Sequence, residues 1–390
     1  MNLRTHCLNK LTRRTTFRVV KTLIWSLAGI CLWRSRIVQL ITFALAAAVR
    51  GQYKGDAQSH SLYDTSAWSG RPPKSTWKGL NYNVLVTYHP EYHGFNSQRA
   101  LTGLHTIGQL GAGWLRTDLR WRNILPDGKR RNPAAISWYR AFLQAAQTVG
   151  LKCMLVLSSP ADIVLSQSSS ARLESWRRFI EIVVAEFADC CETYQLMNEP
   201  NTPVYGFFSF KDSANAVVLA ASIIHSVQPQ ARMAINVNMD FWGWQNYISK
   251  LLRSCRDSID VIGLDHYPGT WTVGWNDRWE EVLQLAHMIS SATPGSDWYQ
   301  RKLMIMETGF STNCFGRDQT RQKQYFENVI RVARRLKQIS TSNAPLLGIY
   351  ELSDSDTSAW LDPEAHFGLL TSDMAPKSAF RTVQHGIAFL

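Results

Sequence analysis

No aspartate or glutamate occurs among the first 50 positions of this 390-residue chain, although they hold nine lysines and arginines. Taking those nine from the formal net charge of +12 leaves +3 for the rest. A dense Lys/Arg face is therefore missing beyond the leader, which argues against nucleic acid as a partner. No apolar run reaches the roughly 20 residues that a membrane-spanning helix needs. There is no Cys-x-x-Cys pair and no His/Cys spacing that suggests zinc. Seven cysteines occur, five of them beyond the leader. One disulfide is compatible with an exported chain, but the spacing names no pair, and Cys153 lies in a strand-like run and reads as core. The glycine-rich turn that cradles phosphate after the first strand of a doubly wound sheet is absent. So is a His-x-His after strand one, which disfavours a metal-dependent amidohydrolase barrel. These residues imply no cofactor. Short solenoid-type repeats are also absent.

What the leader does contain is informative. Residues 23–33 are apolar, Arg34 and Arg36 interrupt, and residues 37–49 are apolar again, passing through Ala44-Leu45-Ala46-Ala47-Ala48. A basic start, a short apolar run and a small-residue end resemble a signal peptide. An uncleaved membrane anchor is the other reading. Either places the rest of the chain outside the cytoplasm, exported or attached to a membrane through residues 1–50. Residues 51–76 are polar, with Gly, Ser and Pro72-Pro73, and read as a linker.

From residue 77 to residue 390 the pattern is one of alternating strands and helices. The chain is 45% hydrophobic and 18% charged, a globular balance. Short runs rich in β-branched and aromatic residues recur eight times, over 79–86, 113–119, 152–157, 194–197, 233–237, 260–264, 303–306 and 347–352. Amphipathic stretches lie between them. In 134–149 the apolar positions Ile136, Tyr139, Phe142, Leu143 and Ala146 follow helical spacing, and 173–187 and 322–336 do likewise. Eight βα-like units predict an α/β fold, a closed parallel (β/α)8 TIM barrel forming a single domain. In such a barrel the strands' C-terminal ends form the functional face.

Those ends carry polar groups. Strand two ends in Arg116-Thr117-Asp118, strand four in Asn198-Glu199-Pro200-Asn201, and strand five in Asn236-Val237-Asn238. Strand six ends in Asp265-His266-Tyr267-Pro268, strand seven in Glu307-Thr308-Gly309, and strand eight in Glu351, with Asp354 and Asp356 beyond. Carboxyl groups on strands four and seven would meet across the barrel mouth. Glycoside hydrolysis needs such a pair: one group protonates the departing oxygen, and the other attacks the anomeric carbon. A separation of about 5 to 5.5 Å goes with retention of configuration, and about 6.5 to 9.5 Å with inversion. Tryptophan is plentiful, 15 in all. Trp242 and Trp244 follow strand five, and Trp271, Trp275 and Trp279 follow strand six. Trp271 stands as the candidate platform for a sugar face.

Met197-Asn198-Glu199-Pro200 and Ile305-Met306-Glu307-Thr308-Gly309, on the fourth and seventh strands, resemble the clan A glycoside hydrolases, the 4/7 superfamily. Residues 260–268, and His366 to Leu370 followed by Pro376-Lys377, look like other segments of that clan. The resemblance runs from about residue 77 to the C-terminus. It implies a retaining hydrolase acting on an oligo- or polysaccharide. Glu199 would be the acid/base and Glu307 the nucleophile. Asn198 would bond the sugar 2-hydroxyl, Tyr267 would donate to Glu307, and Arg116 would bring positive charge beside it. His266, Asn238 and Trp271 complete the expected substrate contacts.

The chain departs from the clan at two places. Many members carry a tryptophan at the end of strand eight, where this chain has Tyr350-Glu351, with Trp360 further on. Cellulase-like members often have a histidine after strand three, where Ser158-Ser159-Pro160 stands here. Family and sugar stay open on that account. A transglycosylase using the same glutamates and a non-catalytic glycan-binding barrel are the alternatives. Carboxyl groups more than about 10 Å apart would favour the latter.

Overall fold

The computed structural model describes residues 63–69, 77, 79–202, 205–241, 243–270, 302–313, 318–339, 345–355 and 363–390. The expected leader and most of the expected linker lie outside them, as do Trp242, Trp271, Trp275, Trp279, Asp356 and Trp360. Eight strands close into one parallel barrel in chain order. They are β1 (Asn81–Thr87), β2 (Ala112–Arg120), β3 (Lys152–Ser158), β4 (Thr193–Leu196), β5 (Arg232–Asn238), β6 (Val261–Asp265), β7 (Lys302–Thr308) and β8 (Leu347–Ile349). Pairing of β1 with β8 completes the ring. The predicted (β/α)8 barrel is therefore the observed fold.

Long helices pack outside the barrel: α1 (Ser97–Leu110), α2 (Pro133–Thr148), α3 (Ser169–Phe187), α4 (Phe210–Val227), α5 (Trp244–Cys255), α6 (Gln319–Ile339) and α7 (Ser378–Ile387). Their starts are written locally. Asn96, Asn132, Ser168 and Ser209 each cap a helix by accepting a backbone N–H three residues on, and Pro133 occupies the first turn of α2. Gly111 ends α1 in the left-handed conformation that glycine adopts without strain. The predicted face of α2 is the buried one: Ile136, Tyr139, Phe142, Leu143 and Ala146 all pack inward. Among the described residues no helix is long and apolar enough to cross a membrane.

Inside the barrel, Leu85, Trp114, Met154, Ala234, Val261, Met304 and Met306 form a buried apolar layer. Side chains alternate across a strand, so the next inward residue lies two positions on. Two positions past Trp114 and Ala234 come Arg116 and Asn236, and two past Gly263, which abuts Met306, comes Asp265, all three buried. The apolar layer forms the floor on which the polar mouth rests. At the opposite end, the side-chain amides of Asn81 and Asn83 donate to the Ile387 and Leu390 carbonyls and tie the C-terminus across the base. The described cysteines Cys153, Cys190, Cys191 and Cys255 are buried free thiols.

Candidate active site

Glu307 reaches the mouth through a slip in strand register. Met304 and Met306 face the interior, so strict alternation would turn Glu307 outward. The pairing shifts on both sides of β7, between Leu264 and Asp265 and between Ile305 and Thr308. That irregularity turns Glu307 inward as well. Gly309 follows because the chain passes against β8: a Cβ there would lie 1.9 Å from the Tyr350 carbonyl oxygen.

Glu199 arrives by strained backbone. Met197 (φ 72°) and Glu199 (φ 39°), just past β4, both have left-handed torsions that non-glycine residues rarely adopt. Asn236 holds this bend, its side-chain oxygen accepting the Glu199 backbone N–H at 2.8 Å. Asn238 Nδ2 donates to Glu199 Oε1 at 2.9 Å.

The two glutamates lie in different electrostatic settings. Glu307 Oε1 accepts from the Arg116 guanidinium, and Oε2 accepts from the Tyr267 hydroxyl at 2.5 Å. Burial disfavours the Arg116 cation, but nearby carboxylates, Glu307 foremost, outweigh it and hold the guanidinium above its ordinary value. Burial, followed by the Glu307 charge, keeps the Tyr267 phenol protonated and hence a donor. Among the described residues no cation pairs with Glu199. Burial, then the charges of Glu307 and Glu364, push its carboxyl well above the usual range. Both carboxyls are almost fully buried. One oxygen from each, with one from Asp265, lies within 4.8 Å of the others.

Asn198 is oriented by three donors. Its side-chain oxygen accepts from Arg116 Nη2 (3.1 Å), Gln195 Nε2 (3.0 Å) and Asn236 Nδ2 (2.8 Å). This fixes which end of the amide is oxygen and which is the NH2 donor. Asp240 positions the β6 segment, with Oδ1 lying 2.6 Å from His266 Nδ1 and Oδ2 accepting the Tyr267 backbone N–H at 2.9 Å.

The structure thus brings together Arg116, Asn198, Glu199, Asn238, His266, Tyr267 and Glu307. Trp271 lies outside the described residues, and Trp244 is buried at the start of α5. Tyr350, just past β8, packs against Tyr267 and Phe367, with ring centres 5.7 and 5.6 Å away, and its hydroxyl donates to Glu364. Asp354 is a structural group: it accepts from Lys377 Nζ at 2.7 Å and from the Gly368 N–H.

Sequence reasoning missed Gln195, Asn236, Asp240 and Asp265 as members of the site. Asn236 and Asp265 stood in the strand-end segments, two positions past Ala234 and Gly263. Inward alternation was the signal that could have found them. Two trios could present three ligand atoms to a metal, Glu199 with Asp265 and Glu307, and His89 with Glu91 and Asp118. Each already has a guanidinium as counter-charge. Arg116 pairs with Glu307, while Arg120 lies 2.7 Å from Glu91 and 3.7 Å from Asp118.

No protein-family model and no curated protein sequence matches the chain. Solved structures do. GH5_18 from Streptomyces cattleya, in complex with GlcNAc, is 14% identical, with a TM-score of 0.62 and 80% of each chain covered. A family 39 glycoside hydrolase from Bacteroides cellulosilyticus WH2 is 18% identical, with a TM-score of 0.60, covering 81% of this chain and 65% of that one. The GH1 β-glucosidase from Exiguobacterium antarcticum B7 is 11% identical, with a TM-score of 0.57, covering 80% of this chain and 98% of that one. The likeness is to the closed (β/α)8 barrel fold of these structures. At these identities the likeness is one of architecture, and the chemistry must be argued from the site.

Proposed function

We propose that this protein is a retaining glycoside hydrolase acting on an oligo- or polysaccharide, with Glu307 as nucleophile and Glu199 as acid/base. The observation that carries this reading is the pair itself: two buried carboxyls with oxygens within 4.8 Å, one paired with a cation and the other pushed toward its protonated form. A carboxyl pushed toward its protonated form suits the acid's role, and the one that a guanidinium pairs suits the nucleophile's.

In the first step the Glu307 carboxylate bonds to the anomeric carbon, the bond to the leaving oxygen breaks, and Glu199 gives that oxygen its proton. The sugar is now an ester of Glu307, whose negative charge has gone. Glu199, freed of that repulsion, takes a proton from water as the water attacks the anomeric carbon. The ester bond breaks and the sugar leaves with its configuration retained. Tyr267 and Arg116 hold the attacking oxygens in place, and the Asn198 NH2 group faces the position of the sugar 2-hydroxyl. GH5_18 from Streptomyces cattleya binds GlcNAc, which suits a carbohydrate partner for this chain. Export through residues 1–50 is part of the proposal. Sequencing the amino terminus of the mature protein tests it: a start near residue 50 supports cleavage, and one near Met1 supports an anchor.

Glu307→Gly tests the chemistry. The variant should lose turnover of activated aryl glycosides, and azide or formate should restore it by occupying the space of the missing carboxylate. A wild type inactive across a panel of aryl glycosides and plant, fungal and bacterial polysaccharides would overturn the reading.

A further inference from the structure

Beyond the leader the chain carries a formal excess of +3, and that small figure predicted no dense cationic face there. The fold corrects the expectation, because the positive charge is gathered in one place. Helix α6 (Gln319–Ile339) holds Arg321, Lys323, Arg331, Arg334, Arg335 and Lys337 against Glu327, six cations to one acid, or +5. Its neighbour α7 (Ser378–Ile387) adds Arg381 and has no acid. Taking their joint +6 from +3 leaves −3 for the other residues after position 50.

Elsewhere on the surface, helix cations are matched by acids. On α3, Arg177 and Arg178 pair with Glu174 and Glu181 of the same helix, and Arg140 of α2 pairs with Asp189. Helix α6 has one acid for all six of its cations, and every one of the six is exposed. A helix dipole favours positive charge in the last turn, which accounts for Lys337 but not for Arg321, Lys323 or Arg331.

Arg331 and Arg335 are four residues apart, as are Arg381 and His385, so each pair shares one helix face. The opposite faces are buried, through Phe326, Val329, Ile330 and Ala333 on α6 and Phe380 and Val383 on α7. The two helices touch at their ends. Arg334 Nη2 donates to the Gly386 carbonyl at 3.2 Å, and its guanidinium lies 5.7 Å from the centre of the Phe389 ring. Phe389 is 74% exposed, the most of any large apolar side chain among the described residues. It lies at the base of the barrel, where Asn81 and Asn83 of β1 hold the Ile387 and Leu390 carbonyls. The mouth is at the other end.

We propose that the outer face of α6 and α7 docks the protein on an anionic lipid bilayer, with Phe389 entering the headgroup region and the mouth turned away from the membrane. Such a surface answers both features of the face, negative charge for the arginines and apolar depth for the ring beside them. The phosphate backbone of a nucleic acid answers the charge alone. The leader has the same complementarity, with nine cations, no acid and two apolar runs. No residue of the mouth takes part, so the inference stands apart from the glycosidase reading.

The test uses the full chain, with Cys7, Cys31 and Cys314 replaced by serine; Cys153, Cys190, Cys191 and Cys255 are buried. A polarity-sensitive dye is placed on Ala388→Cys, beside Phe389. A second sample carries it on Ile163→Cys, an exposed position past the mouth end of β3. Vesicles of phosphatidylcholine mixed with phosphatidylglycerol should shift the dye at 388 to the blue and leave the dye at 163 unchanged. Phosphatidylcholine alone should shift neither. Salt at about 1 M, where the screening length is about 3 Å, should abolish the shift. One cation near an anionic bilayer contributes about fivefold to binding, so the triple variant Arg331→Gln, Arg335→Gln, Arg381→Gln should need about a hundredfold more anionic lipid for the same shift. The leader is identical in all samples, so the difference belongs to the face. Thermal unfolding at the wild-type temperature separates the loss from misfolding.

No shift at 388 on anionic vesicles, an equal shift on phosphatidylcholine alone, or an unchanged titration in the triple variant would overturn the docking face. A shift at 163 in place of 388 would overturn the orientation. A dye at 388 that responds to duplex DNA and not to vesicles would replace the bilayer with a nucleic acid.

Discussion

Arg116 on β2 and Glu307 on β7 form a buried ion pair across the mouth of the barrel. The same guanidinium donates from Nε to Gln195 (2.8 Å), from Nη1 to Thr87 (3.2 Å) and from Nη2 to Asn198 (3.1 Å). Four strands are therefore joined through one side chain. Arg116→Leu leaves the Glu307 carboxylate buried without its cation. Breaking such a pair costs about 3–5 kcal/mol, so thermal unfolding should begin well below that of wild type and hydrolysis should be lost. Arg116→Lys should restore little, because an ammonium cannot reach Gln195, Thr87 and Glu307 in one fork. Wild-type kcat/KM in the lysine variant would contradict this account.

Tyr267 gives Glu307 its second donor, while the Tyr267 backbone is held separately by Asp240. Tyr267→Phe removes the hydroxyl and leaves the ring packed against Tyr350 and Phe367. A hydrogen bond to a charged group contributes about 1.5–3 kcal/mol. The variant should lose about tenfold to a hundredfold in kcat, with a smaller change in KM and little change in unfolding temperature. Steady-state kinetics on an aryl glycoside check it.

Glu199 bears on pH dependence both in activity and in stability. Its folded-state carboxyl is pushed up by burial, then by the Glu307 and Glu364 charges. Between the ordinary glutamate value of about 4.3 and that raised value, the folded protein binds more protons than the unfolded chain. Stability contributed by this group is thus present at low pH and is lost as pH rises through that window. Glu199→Gln does not ionise. It should be more stable than wild type at pH 7, by about 0.5–2 kcal/mol, and equal to it near pH 4. Melting curves at the two pH values decide the matter. In the wild type, kcat/KM should fall on the alkaline side as the same proton is lost.

Lys377 and Asp354 form the other buried pair to test, 2.7 Å apart and away from the chemistry. Burial lowers the lysine and raises the aspartate, and each charge opposes that trend in its partner. Lys377→Met should cost about 3–5 kcal/mol by stranding Asp354. The double variant with Asp354→Leu should recover part of this, since removing both charges removes the unpaired one. Chemical denaturation of the single and double variants measures the coupling.

How much could be read from the sequence differs between particular residues. The faces of α2 and the caps at Asn132, Ser168 and Ser209 act over three or four positions, so the chain itself displays them. Strand bounds came within a few residues for the same reason, except at β8, where pairing stops at Ile349 and the expected run to Leu352 does not continue. Glu199 and Glu307 stood out because they end strands four and seven in short motifs. Asn236, Gln195 and Asp240 did not, because an amide or carboxylate that orients a neighbour is recognised only by what it touches. Asp354 stood beyond the end of strand eight with no role legible in it, because its partner Lys377 lies 23 positions away.

The sequence by itself determined the architecture and the two glutamates. Hydrophobic alternation and helical periodicity are local, and eight repeats of them close in only a few ways. Tertiary structure alone decided the surroundings of those glutamates. The register slip at β7 turns Glu307 inward, the bend after β4 carries Glu199 toward it, and Arg116 comes from β2 to sit on one and not the other. Charge and protonation depend on distances across the barrel, and those distances exist only once the ring is closed.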